Sequence, residues 1–202
     1  MAIFSSRPPG PVGVLGGTFN PAHFGHLVLA QGVKERLSLD KIIFIPTYIP
    51  PHKPNRDIAA AGDRYEMLRL AVGNNLGFCV SDVEINRRGK SYAIDTVRAL
   101  REELPANDIF FIIGADEVED LADWRDISEL RKITKFAVVA RPGYPLKKKY
   151  LMSWPEMVFP EIKVLDISAY EIRERIKQGL SARYLVPENV RQYILKKGLY
   201  RG

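Results

Sequence analysis

The chain has 202 residues, 46% of them hydrophobic, and a net charge of +6. That is enough apolar residue for one substantial core and excludes disordered, collagen-like and disulfide-scaffold classes. A single cysteine, Cys79, excludes an intrachain disulfide and any cysteine metal cluster, and points to a reducing compartment. The first eleven residues carry Pro8, Pro9 and Pro11 and no apolar h-region, so they read as a flexible lead-in and not as a signal peptide. No apolar run reaches the length of a membrane span, and the expected location is the cytoplasm. The mild basic excess suits anionic small molecules. Lys147-Lys148-Lys149 is a short run with one aromatic neighbour, which reads as a solvated loop and not as a nucleic-acid patch.

In chain order, the expected strands are Val12–Leu15, Ile42–Ile45, Phe78–Val80, Ile109–Ile113, Phe136–Val139 and Ile162–Leu165. Helical spacing appears at Leu27, Ala30, Val33 and Leu37, then over Asp63–Val72, Tyr92–Leu104, Ser168–Gln178 and Pro187–Lys196. Strands alternating with helices predict an α/β fold, a Rossmann-like, doubly wound, mainly parallel sheet with helices on both faces. One domain over residues 1–202 is expected, with the helical part at 168–202 packed on it. The stretch Arg141–Pro160 reads as a surface connection with a short helix, because the alternation resumes after it. Ligands of such sheets bind outside the carboxyl ends of the strands, so functional residues should follow strands directly.

The first strand runs into Gly16-Gly17-Thr18-Phe19-Asn20-Pro21-Ala22-His23-Phe24-Gly25-His26. Two glycines allow a tight turn and a close approach to a ligand. Asn20 followed by Pro21 reads as a helix start, a side-chain cap and then a residue with no N–H to satisfy. A helix N-terminus is a natural phosphate site, and histidines three apart share one side of a helix. Gly25 costs about 1 kcal/mol in a helix, which a bulky ligand packed on that backbone would explain. The loop is neither GxGxxG nor a P-loop, and zinc is a poor fit because no second ligand cluster lies nearby.

This loop resembles the signature of the HxGH nucleotidyltransferases. The resemblance gives His23, His26 and Thr18 contacts with a triphosphate, with Gly16, Gly17, Phe19 and Gly25 shaping the loop. Further segments add to it: Pro50-Pro51-His52-Lys53, Ser91-Tyr92-Ala93-Ile94-Asp95-Thr96, and Gly114-Ala115-Asp116 followed by Leu121 and Trp124. Arg141-Pro142-Gly143 comes next, then Ile167-Ser168-Ala169-Tyr170-Glu171-Ile172-Arg173 and a tail with Gly198-Leu199-Tyr200. Ser168 with Glu171 reads as a capping box, and Ser91 as the cap of its helix. From about residue 12 to 200 the set is similar to bacterial nicotinate-nucleotide adenylyltransferases.

That resemblance implies a transfer of AMP from ATP to nicotinate mononucleotide, with Mg²⁺ accompanying ATP and no protein ligands to metal. It assigns His23, His26, Lys53 and Arg173 to catalysis. ATP binding falls to the loop residues above with Ser168 and Ile172, and the mononucleotide to Ser91, Tyr92, Thr96, Asp116, Trp124, Arg125 and Arg141. The partners are two small molecules, with no nucleic acid or membrane, and a homo-oligomer is left open. Ala169 and Tyr170 depart from the pattern, standing where small hydroxyl residues are usual. Two alternatives remain at this level: another acceptor, such as nicotinamide mononucleotide or phosphopantetheine, and a nucleotide-binding regulatory module without catalysis.

Overall fold

The computed structural model describes residues 10–50, 58–105, 107–140, 154 and 156–201. Among them, six strands form one sheet: β1 (Val12–Gly17), β2 (Lys41–Pro46), β3 (Phe78–Val80), β4 (Ile109–Gly114), β5 (Lys135–Val139) and β6 (Met157–Val158). The order is β3-β2-β1-β4-β5-β6 and every pair is parallel. The helices are α1 (Phe24–Arg36), α2 (Ala61–Val72), α3 (Val83–Arg87), α4 (Ala93–Glu103), α5 (Ile127–Ile133), α6 (Ala169–Lys177) and α7 (Glu188–Lys197), with short 3₁₀ turns at Ala115–Glu117 and Leu121–Asp123. The expected α/β doubly wound architecture is the observed one.

The sheet is buried on both faces, and the strands sort their side chains by alternation. Val12, Val14, Ile43, Ile45, Phe111, Ile113, Phe136 and Val138 pack on one face with Ile94, Val97 and Leu100 of α4 and Leu130 of α5. Leu15, Ile42, Phe44, Ile112, Ala137 and Val139 pack on the other, against Ala30 and Val33 of α1 and Leu68 of α2. A third cluster joins Met67 of α2 to Ile172 of α6 and to Val190 and Ile194 of α7. The chain reaches β3 on one flank of β1 and returns to β4 on the other, so the strand order reverses between β1 and β4. This is the crevice where ligands of doubly wound sheets bind.

Two expectations are corrected. Ile162–Leu165 is not a strand; the sixth strand is Met157–Val158, inside the stretch expected to be a surface connection. Ile162 and Val164 are half-buried while Lys163 and Leu165 are exposed. The period of two is therefore real. It arises because an extended segment lays alternate side chains on the second core cluster, with Ile162 over Gly32 of α1, where an added Cβ would stand 3.1 Å from the Ile162 Cβ. Alternation reports one covered side of a chain, not a hydrogen-bonded neighbour. The second correction concerns the start of α1. The N-cap is His23, not Asn20, and the Asn20–Pro21 peptide is cis.

Candidate active site

β1 ends at Gly17, and residues 18–23 cross the carboxyl edge of the sheet to α1. Phe19 has φ 48°, the left-handed region, which costs a bulky residue roughly 1–3 kcal/mol. Packing of its ring holds it there. The ring meets Phe44 edge-on at 6.0 Å and His26 edge-on at 4.9 Å, and it lies so close under Gly17 that an added Cβ would stand 3.2 Å away. Gly17 is thus glycine because Phe19 occupies the space of a side chain.

The two histidine rings stack with centroids 3.6 Å apart. His23 is buried, and its backbone N–H donates to His26 Nδ1 at 3.3 Å. That contact decides the tautomer: with Nδ1 accepting, a neutral His26 carries its proton on Nε2. The first N–H groups of α1 are less available than the sequence suggests. The Phe24 N–H donates to the Leu185 carbonyl at 3.1 Å, and that of His26 to the His23 carbonyl at 3.0 Å. Gly25 also finds its reason here. An added Cβ would stand 2.9 Å from His23 Nδ1, so what packs on this backbone is the His23 ring and not the ligand expected from the sequence. Gly25→Ala is expected to lower kcat roughly ten- to hundredfold by displacing that ring while thermal stability stays near wild type; steady-state kinetics beside a melting curve checks this.

Asn20 and Arg64 assemble the loop. Asn20 Oδ1 accepts from the Ala59 N–H at 3.0 Å and from the Tyr200 hydroxyl at 2.7 Å. The Asn20 carbonyl accepts from Arg173 Nη1 at 3.0 Å. The C-terminal tail and α6 therefore close on the residue that sequence reading made a helix cap. Burial pushes the Tyr200 phenol well above its ordinary pKa, so it remains a donor. Arg64 is 1% exposed and donates to three carbonyls: Ala59 at 2.9 Å, Thr18 at 3.0 Å and Tyr48 at 3.1 Å. Burial lowers its pKa from a very high starting value, and the guanidinium remains charged. Sequence reading missed Arg64. The available signal was an arginine at the buried phase of an otherwise amphipathic helix, beside Met67 and Leu68.

Arg173 lies in α6, half-buried, with the Tyr170 ring 5.8 Å from its Cζ. Tyr170, one of the two departures from the expected pattern, thus covers the guanidinium that its neighbour turn presents. Ser168 is the N-cap of α6, but its side chain makes no cap hydrogen bond, so the capping box with Glu171 is not formed. Ile172 is fully buried in the third cluster, and its N–H donates to the Ser168 carbonyl. Its side chain anchors the helix that carries Arg173.

On the other side of the crevice, Asp116 follows β4 in a 3₁₀ turn and is half-buried. Trp124 is half-buried, edge-on to Phe111 at 6.1 Å. Arg125 stands over the Tyr92 ring at 4.9 Å and pairs with Asp95 at 3.6 Å. Two motifs separated by some thirty residues in sequence are thereby joined. The N-cap of α4 is Tyr92, not Ser91. Ser91 and Thr96 are both buried and turned inward: the Ser91 hydroxyl accepts from the Tyr48 N–H at 3.0 Å, and the Thr96 hydroxyl donates to Glu84 at 2.6 Å. Lys53, with His52, and Arg141 lie outside the described residues.

A glycine turn, stacked histidines at a helix start and a strand-order reversal beside them define a nucleotidyltransferase of the HxGH type. A family model described as cytidylyltransferase-like matches residues 14–175. A protein of Desulfitobacterium hafniense named "Probable nicotinate-nucleotide adenylyltransferase" is 44% identical, covering 97% of this chain and 98% of that protein. One of the same name from Enterococcus faecalis is 43% identical, covering 94% and 84%. The chain belongs to the nicotinate-nucleotide adenylyltransferases of the cytidylyltransferase-like family. The fold is shared with a Plasmodium falciparum nicotinic acid mononucleotide adenylyltransferase solved with NaAD, at a TM-score of 0.81 and 18% identity, covering 95% of this chain and 97% of that one. No described helix is long and apolar enough to cross a membrane.

Proposed function

We propose that the chain transfers AMP from ATP to nicotinate mononucleotide, releasing pyrophosphate and nicotinate adenine dinucleotide. The observation that carries this is the His23–His26 stack at the head of α1, set at the strand-order reversal, with Asp116 in the turn that follows the neighbouring strand β4. Relatives above 40% identity over nearly the whole chain bear the corresponding name.

The acceptor phosphate is already an anion. Its oxygen attacks the α-phosphorus, the bond to the bridging oxygen breaks, and the electron pair leaves on pyrophosphate. No strong base or covalent enzyme intermediate is required, so catalysis rests on alignment and charge stabilisation. His26 donates from Nε2 to an α-phosphate oxygen, and His23 supports that ring from below. Arg173 and Lys53 hold phosphate oxygens, beside backbone N–H groups of the Gly16–Phe19 turn and of Ser168. Among the described residues no group of three or more His, Cys, Asp or Glu side chains could hold a metal ion. Mg²⁺ accompanying ATP would neutralise charge on the leaving pyrophosphate. The N–H groups at the start of α4 and that of Arg125 receive the nicotinate carboxylate, the Trp124 N–H being donated to the Leu121 carbonyl at 3.2 Å; Trp124 stacks on the pyridine ring and Asp116 holds the ribose. Arg141 is assigned to the mononucleotide as well.

The test is pyrophosphate release from ATP and Mg²⁺ with nicotinate mononucleotide, its amide or phosphopantetheine supplied separately. Release with phosphopantetheine alone would overturn the acceptor assignment, and ATP binding without release for any acceptor would favour a regulatory module. Trp124→Ala is expected to raise KM for the mononucleotide roughly tenfold through lost stacking, with little change for ATP. Equal changes for both substrates would make Trp124 only a packing group of the Phe111 cluster.

A further inference from the structure

Among the described residues Glu84 is the one buried carboxylate, 5% exposed, on the five-residue helix α3. Burying a charged group is costly unless the surroundings bind it, and the surroundings here are specific. The Thr96 hydroxyl donates to Oε1 at 2.6 Å, and Arg87 Nη2 donates to the Thr96 oxygen at 3.2 Å while standing 4.0 Å from the carboxylate. Burial raises the Glu84 pKa above the ordinary carboxylate value, opposed by the Ser91 and Thr96 hydroxyls and by the charges of Arg87 and Arg64. Oε2 is buried without a hydrogen-bond partner among the described residues.

These contacts converge on one turn. Arg88 and Gly89 have φ 60° and 73°, consecutive left-handed residues, and an arginine holds such a conformation only where the surroundings over-determine it. The turn is pinned on its far side by Ser91 N–H to the Ile49 carbonyl at 3.1 Å and Tyr48 N–H to the Ser91 hydroxyl at 3.0 Å. Arg64 holds the Tyr48 carbonyl at 3.1 Å and the Thr18 carbonyl at 3.0 Å. A continuous polar path thus runs from the phosphate loop at Thr18 to the first turn of α4.

We propose that Glu84 is a positioning residue of the acceptor subsite, its buried carboxylate fixing the Arg88–Tyr92 turn on α4 and so aiming the N–H groups that receive the acceptor's carboxylate. This rests on the acceptor reading above. It also explains why Thr occupies position 96 although its hydroxyl does not face the crevice: it donates to the carboxylate beneath, while the Ser91 hydroxyl ties the same turn to the Tyr48 N–H.

The test uses the full chain as wild type, Glu84→Gln and Thr96→Val, with pyrophosphate release at varied mononucleotide and varied ATP. Gln keeps the shape but makes one oxygen a donor and removes the charge. Glu84→Gln is expected to raise KM for nicotinate mononucleotide about tenfold while KM for ATP and kcat stay within about threefold, and Thr96→Val to move the same constants by less. Amide hydrogen exchange at residues 90–96, measured without substrate, is expected to quicken in both variants, with the Thr18–Phe19 amides unchanged. Both KM values rising together, or unchanged exchange at 90–96, overturns the proposal. Should Glu84→Gln fail to fold, Thr96→Val carries the same two readouts. Should wild type release no pyrophosphate with nicotinate mononucleotide, the acceptor reading falls, and unchanged exchange at 90–96 would still overturn the positioning role by itself.

Discussion

His26→Ala is expected to lower kcat by roughly 10²–10³ with KM for either substrate changed little, the loss typical of removing one donor aimed at developing charge. The ring's other contacts allow a sharper version. His26 Nδ1 accepts from the His23 N–H at 3.3 Å, while its ring edge meets Phe19. Asparagine places an oxygen near the Nδ1 position and nothing near Nε2; glutamine reaches the Nε2 position with an N–H₂. If His26 acts as a donor, His26→Gln retains more turnover than His26→Asn, although Asn better preserves the helix start. Equal activities would reduce His26 to a capping group of α1. Single-turnover measurement of the chemical step, beside thermal melts showing the fold intact, decides between them.

Arg64→Leu is expected to be the most destabilising of these substitutions, by about 3 kcal/mol or more. The apolar isostere leaves the carbonyls of Ala59, Thr18 and Tyr48 without their donor in a buried place, and each unsatisfied group costs about 1–3 kcal/mol unless water reaches it. For a chain of this size that lowers the melting midpoint by roughly 6–12 °C. Arg64→Lys retains the charge but offers a point donor in place of a fork, so it is expected to recover part of the loss. Urea titrations of the three proteins check the order. A loss below about 1 kcal/mol for Arg64→Leu would mean that the three carbonyls find other partners, and that the loop is not assembled through this side chain.

Both residues serve the same loop, His26 from the head of α1 and Arg64 from α2, yet they differ in how visible they were. The histidines announce themselves: two of the three in the chain sit three apart after a glycine turn that follows an apolar run. Spacing carries that information because the geometry is local, one turn of helix at a strand end. Arg64 has no such local signature. Its three partners come from positions 18, 48 and 59, and the meaning of the residue exists only once those segments meet. The same holds for Asn20. Its place before Pro21 suggested a cap, but its side chain receives Tyr200 from the far end of the chain and its carbonyl receives Arg173. A local rule chose the wrong partner because the competing partners were distant.

The parallel, doubly wound sheet was legible from alternation alone, since strands buried on both faces are continuous apolar runs and the helices between them keep their period. Five of the six strands stood where those runs predicted. The sixth did not, because Ile162–Leu165 shares the alternation of a strand while resting on α1, and the edge strand Met157–Val158 is too short to show a period. Periodicity records which side chains are covered; it is silent on what covers them. The linear sequence thus determined the architecture, the glycine–histidine loop and the family to which its motifs are similar. Tertiary structure alone decided how the loop is held and which hydroxyls face inward to Glu84. It also made the stacked His23 ring, and not a ligand, the reason for Gly25, because each of these depends on groups brought together across the fold and on the cost of leaving buried polar atoms without partners.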